Sequence, residues 1–209
     1  MGSPFFYLLV GFFACFIGTI PFGPINLAVV KTTIDFDRRS GTEFAFAASL
    51  VEVLQAFVAI SFGVLISTYL ESNIAIKFIL ASLFITLAIF IYTRKPNPTM
   101  ANPPDRAGSF FRNGMLIAML NPQALPYWMF ALAAISQYFP FQYSGVYLMG
   151  FLTGVLLGKL LALYGFVVAS GYLKTHMEKS SLLVNRVLAA ILLFIGLSQG
   201  WNAVNSLLG

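Results

Sequence analysis

Charge is scarce in this sequence. Of 209 residues only 9% are Asp, Glu, Lys or Arg, against 59% hydrophobic residues, and a soluble domain cannot cover its surface with so few ionic groups. There is one cysteine, Cys15, so no internal disulfide can form and the redox compartment is left open. There is one histidine, His176, and no His-Glu-x-x-His pattern, which removes the common ways of holding a zinc ion. A membrane-embedded enzyme would need a nucleophile, base or metal cluster that this inventory does not supply, so no catalytic residue, metal or cofactor is expected. Lys and Arg are also missing ahead of the first apolar run, "MGSPFFYLLVGFFACF". Without the charged start of a cleavable signal peptide, that run is expected to stay as a first membrane span.

What is abundant is apolar sequence in long runs. Crossing a hydrocarbon core takes about 20 residues at 1.5 Å each. Six segments meet that length: roughly 4 to 30, 43 to 68, 74 to 93, 113 to 136, 142 to 170 and 183 to 207. The expected fold is therefore an all-α integral membrane protein, one transmembrane domain over 1–209 with six helices. The connections divide by charge. The first, third and fifth carry Lys31, Arg38 and Arg39, then Arg94, Lys95, Arg106 and Arg112, then Lys174, Lys179 and Arg186. The other side has Lys77 alone. The positive-inside rule then places both termini outside and these three loops in the cytoplasm. Basic residues spread over three loops do not form a nucleic-acid patch.

The third loop, "RKPNPTMANPPDRAGSFFRN", has four prolines and four basic residues. It can neither continue a helix nor fold by itself. It separates one half, 1–93, from a second, 113–209, with 94–112 between them. Three spans per half force the second half to enter the membrane in the opposite direction, as in 3+3 inverted-repeat transporters. The alternative is six helices without ancestral symmetry.

The first span of each half contains prolines: "IPFGPIN" with Pro21 and Pro24, and "MLNPQALPYWM" with Pro122 and Pro126. A proline removes a backbone donor and orphans a carbonyl four residues back, and in hydrocarbon that carbonyl must find protein, water or substrate. The half-helix restarting at Pro24 or Pro122 presents unpaired amides and the positive end of its dipole, a seat for a carboxylate. A single kink could be a packing feature, but corresponding breaks in two halves point to a binding site. The first and fourth helices are thus expected to be broken.

Two ionisable residues lie inside spans, where they are costly and rare. Glu52, in "AASLVEVLQAFVAI", is nine residues beyond Glu43, with Gln55 on nearly the same helix face. Lys159, in "LTGVLLGKLLALYG", is 15 residues from both Ser144 and Lys174, roughly 22 Å of helix either way, too far to snorkel. A Glu52–Lys159 pair across the repeat interface is expected, either as part of the site or as a structural ion pair. Pro24, Pro122 and Glu52 all lie roughly 10 to 15 Å from the basic edge, so they should share one layer. Gly150, Gly154 and Gly158 beside Lys159 flatten one helix face. Close packing within the chain is the expected use of that face, and a homodimer surface is the alternative.

The arrangement resembles the LysE/RhtB family of bacterial inner-membrane amino-acid exporters. "PFGPINLAVV" is similar to the family's Pro-Gly-Pro stretch and "LNPQALPYW" to its Asn-Pro-Lys stretch. Here Phe22 interrupts the first and Gln123 stands where a Lys is common. The resemblance implies export of amino acids or related zwitterionic metabolites across the inner membrane, driven by the proton gradient. The expected substrate site comprises Pro21, Gly23, Pro24 and Asn26 at the first break and Asn121, Pro122 and Gln123 at the second, together with Glu52, Gln55 and Lys159. The substrate carboxylate would meet the free amides and Lys159, its amine Glu52 and Asn26 or Asn121. Protonation of Glu52 would couple transport to protons. Distant relatives of the family move ions, so a divalent-metal or other ion transporter is the alternative, although one membrane Glu is a poor cage for a hard cation.

Overall fold

The computed structural model describes residues 3–20, 23–70, 74–93, 109–121, 123–138, 142 and 144–173, and eleven positions between 186 and 204. Among them there is no strand. The helices are α1 (Pro4–Thr19), α2 (Pro24–Asp35), α3 (Arg38–Leu70), α4 (Ile74–Thr93), α5 (Phe110–Met119), α6 (Ala124–Tyr138) and α7 (Gly145–Leu173). The Arg38–Phe62 stretch of α3 and all of α7 are long and apolar enough to cross a membrane, and α1 with α2 passes the same test as a pair bent by 73°. More than half of the expected sixth span, 183–207, and most of the 94–112 loop lie outside the described residues, as do Pro21 and Pro122; the eleven described positions of that span are helical.

Local chemistry explains where the helices start and stop. Pro4 and Pro24 open α1 and α2 at the first helical position, where the missing N–H is no loss. Ser3 accepts the Phe6 amide to cap α1, and Asp37 Oδ1 accepts the Ser40 amide at 2.7 Å to cap α3. The N-terminus of α5 takes two caps, Ser109 Oγ on the Arg112 amide and Glu43 Oε1 on the Phe111 amide, each at 3.3 Å.

The closest helix pairing is α1 against α7. A Cβ built on Gly150, Gly154 or Gly158 would collide with the backbone carbonyls of Pro4, Leu8 and Phe12 respectively, and one on Gly11 with that of Phe151. These glycines let two backbones touch, which is how membrane helices gain contact energy when lipid is as apolar as their side chains. The glycine stripe is therefore filled within the chain. The outer surface is apolar, with Phe5, Phe13, Phe57, Phe62, Leu161 and Val168 among its exposed side chains. Water would not tolerate so continuous an apolar exterior, and a bilayer favours it.

Among the described residues two apolar clusters of buried side chains form, one above the other along the helices. One contains Ile25 and Val29 of α2, Phe44, Ala48 and Val51 of α3, and Leu163 and Val167 of α7. The other contains Cys15 of α1, Ala56 and Ile60 of α3, Trp128 of α6, and Phe151 and Val155 of α7. Every helix that serves both changes cluster at one level: α3 between Val51 and Ala56, and α7 between Val155 and Leu163. The α1/α2 pair changes at its break. That level is the polar layer.

Candidate functional site

Glu52 and Lys159 face each other in this layer. Lys159 Nζ lies 2.8 Å from Glu52 Oε2, with side-chain exposures of 8% and 5%. The second carboxylate oxygen is also taken, because Trp128 Nε1 donates to Glu52 Oε1 at 2.8 Å. Trp128 itself is fully buried and packs edge-on against Phe151 and Tyr127. One carboxylate therefore ties α3 to α7 through a charge and to α6 through a neutral donor. A buried ion pair is tolerable only when its remaining hydrogen-bonding capacity is satisfied, and the indole contributes to that.

The first break lies beside this pair. In a continuous helix the carbonyls of Ile17 and Thr19 would bond the amides of residues 21 and 23, but residue 21 is a proline and the chain turns before 23. Instead Ile17 O accepts the Ile20 amide at 3.2 Å, and Asn26 Nδ2 reaches back to Thr19 O at 2.6 Å. One turn earlier, Thr19 Oγ1 donates to Cys15 O at 2.7 Å, and Tyr127 donates its hydroxyl to Ala14 O. The phenol of Tyr127 fills the space a Cβ would need at Gly18. The end of α1 is thus closed by side chains. The start of α2 is different, since Gly23 occupies the N-cap position and no side chain caps the helix.

The second break is closed from another helix. Ala118 O would pair with residue 122, a proline without N–H. It accepts the Asn121 amide at 3.1 Å and, across the bundle, Gln55 Nε2 at 3.0 Å. The side chain of Asn121 turns the other way and accepts the Gln123 amide at 3.2 Å. The two breaks meet: a Cβ on Gly23 would lie 3.5 Å from Gln123 Oε1.

Gly23, Pro24, Asn26, Glu52, Gln55, Asn121, Gln123 and Lys159 therefore all fall in or beside one layer. Within it Asn26 and Gln55 hold backbone carbonyls, and Asn121 holds a backbone amide. Three contributors lie outside the expected set: Thr19, Tyr127 and Trp128. Trp128 sits two residues beyond Pro126 in "QALPYWM". A polar-tipped aromatic just after a break is the signal that could have singled it out.

The two helix breaks are now joined by a buried ion pair at their level, and a family model described as LysE type translocator matches residues 16–200. The chain belongs to the LysE type translocator family. Comparison with curated proteins and with solved structures gave no match. Membership makes this translocator a multi-pass membrane protein that moves small molecules across a bilayer, in a family of transporters and not of enzymes. The matched region takes in both breaks, Glu52 and Lys159 of the translocator.

Proposed function

We propose that this translocator exports amino acids or closely related zwitterions by proton antiport, binding them in the polar layer between its two apolar clusters. The observation that carries the reading is the Glu52–Lys159 pair, held by Trp128 at the level where both helix breaks meet. A zwitterion carries the same two charges as the pair. Its carboxylate can replace Glu52 as the partner of Lys159 and extend to the uncapped start of α2, while its amine replaces Lys159 on Glu52. The ion pair is then a substitute for substrate, which keeps both charges neutralised when the site is empty. Proton uptake by Glu52 from the outside removes the amine's partner and releases it.

The 3+3 inverted repeat, the bacterial inner membrane, outside termini and cytoplasmic basic loops belong to the same proposal, supported by the charge distribution of the loops. If two copies associate, the face used must be other than the glycine stripe, which α1 fills.

The test uses the full chain in proteoliposomes. The parent is expected to show both amino-acid counterflow and accumulation driven by a pH gradient. Glu52→Gln keeps a hydrogen-bonding group for Trp128 but cannot titrate, and is expected to lose the gradient-driven component by at least tenfold. Gradient-driven transport at the parental rate in Glu52→Gln would end the coupling proposal, and absence of counterflow with every amino acid would end the substrate class.

A further inference from the structure

A groove of about 680 Å³ runs between α3 and α7, from the start of α3 to the edge of the polar layer, and is open to the side. Along α3 its wall is Arg38, Arg39, Glu43 and Phe46, and along α7 it includes Leu160, Tyr164 and Val168. On each helix these positions recur at three- to four-residue intervals, so each helix offers one continuous face about 12 Å long. The two ends differ in chemistry. The arginines stand at the start of α3 beside Thr42 and Glu43, and the remaining wall is apolar, with Phe46 at 43%, Tyr164 at 48% and Val168 at 52% exposed and Val167 buried.

The arginines at this rim have two acidic neighbours, Asp37 and Glu43, whose carboxylates are each aimed at a backbone amide, that of Ser40 and that of Phe111 respectively. Arg39 helps to hold Asp37 charged, yet among the described residues neither Arg38 nor Arg39 forms an ion pair. Two adjacent guanidinium groups present planar forks suited to phosphate oxygens. A small zwitterion could meet the polar end, with Arg38, Arg39 and Glu43, but would leave the apolar length of the groove unfilled. A molecule with an anionic head and hydrocarbon tail matches both ends, and the volume lies within the range of small-ligand sites.

We infer that this groove binds an anionic phospholipid, its phosphate on Arg38 and Arg39 and the upper part of an acyl chain along Phe46, Leu160 and Val168. The level is that of the headgroups if the positive-inside assignment holds. Leu160 follows Lys159 in sequence, so a bound chain lies next to the helix turn that carries the site's cation.

The experiment measures thermal midpoints and native mass spectra of the purified full chain in detergent, with dioleoyl phosphatidylglycerol added. That lipid is expected to raise the midpoint by several degrees and to remain bound in the spectrum. Dioleoyl phosphatidylcholine, glycerol phosphate and inorganic phosphate should do neither. Arg38→Gln with Arg39→Gln should weaken binding at least tenfold. Val168→Trp, which fills the groove without altering the charge of the loop, should do the same, so the proposal stays testable if the double variant inserts wrongly. Equal binding of phosphatidylcholine, an equal shift with free phosphate, or parental binding in Val168→Trp would overturn it.

Discussion

The two helix breaks solve one problem in different ways. At the first, the freed carbonyl of Thr19 is closed by Asn26, seven residues along the same chain, and the helix that follows begins without a side-chain cap. At the second, the carbonyl of Ala118 is closed by Gln55 from a separate helix, and the amide of Gln123 is taken by Asn121. The first break therefore keeps donors at the start of α2, while the second spends its polar groups on holding α3 and α5 together. A similar proline pattern at the two breaks does not bring a similar chemistry with it. A carboxylate ligand has a reason to choose the first break.

The largest expected effect tests the element common to both breaks. Lys159→Met leaves Glu52 buried with only Trp128, and breaking a buried pair in this way costs about 3–5 kcal/mol. The thermal midpoint in detergent should fall steeply, and much of the loss should return in the Glu52→Gln, Lys159→Met double variant. Parental stability in the single variant would mean that the pair is not holding the layer.

The next effect isolates the first break by loosening α1. A Cβ at Gly154 collides with Leu8 O, so Gly154→Ala must push α1 from α7, at a cost of about 1–3 kcal/mol. Gly165→Ala is the control on the same helix, since nothing lies within 4 Å of its Cβ, and it should be neutral or gain up to about 1 kcal/mol from helix propensity. Similar losses in both variants would remove the argument from close packing.

A direct contrast of the breaks is smaller in stability. Asn26→Ala and Gln55→Ala each deprive a buried carbonyl of a donor and should each cost about 1–2 kcal/mol. Transport should separate them: Asn26→Ala is expected to raise KM several-fold, because it disturbs the open start of α2, while Gln55→Ala changes KM little. Equal changes in KM would show that the two breaks serve the substrate alike.

The smallest effect lies outside the layer, at the start of α3. The Ser40 amide, more than Arg39, holds the carboxyl of Asp37 below its ordinary value. A group with a depressed folded pKa stabilises the fold above its unfolded value, about 3.9, and loses that contribution as pH falls through the folded one. Melting curves of the parent should therefore weaken slightly below about pH 4, and Asp37→Asn should remove that part of the dependence. An unchanged acid limb in Asp37→Asn would assign the loss to other carboxyl groups.

Much of the architecture was legible because membrane solvation is a severe constraint. Long apolar runs, a proline inside a span and the sign of loop charges each have few alternative meanings in a bilayer. Glu52 and Lys159 stood out because a charge at mid-span needs a partner. The contributions of Tyr127 and Trp128 were only faintly marked, by their place just after a break. An aromatic residue in a chain with 22 Phe carries little information, and only the folded position of α6 shows that this indole reaches a carboxylate. The polar side chains at the breaks were recognisable as a group, but not in their separate tasks.

That this chain is a membrane protein, where its helices break and which two charges are buried all follow from the order of residues, because each depends on the solvation of groups already present along one segment. Which group satisfies which follows from the packing of the helices. Asn26 binds within its own half, Gln55 reaches across to the other, and Asn121 serves an amide instead of a carbonyl. Those choices depend on distances between helices, set by the glycine face of α7 and the crossing of α1 over it. No spacing within a single segment encodes them.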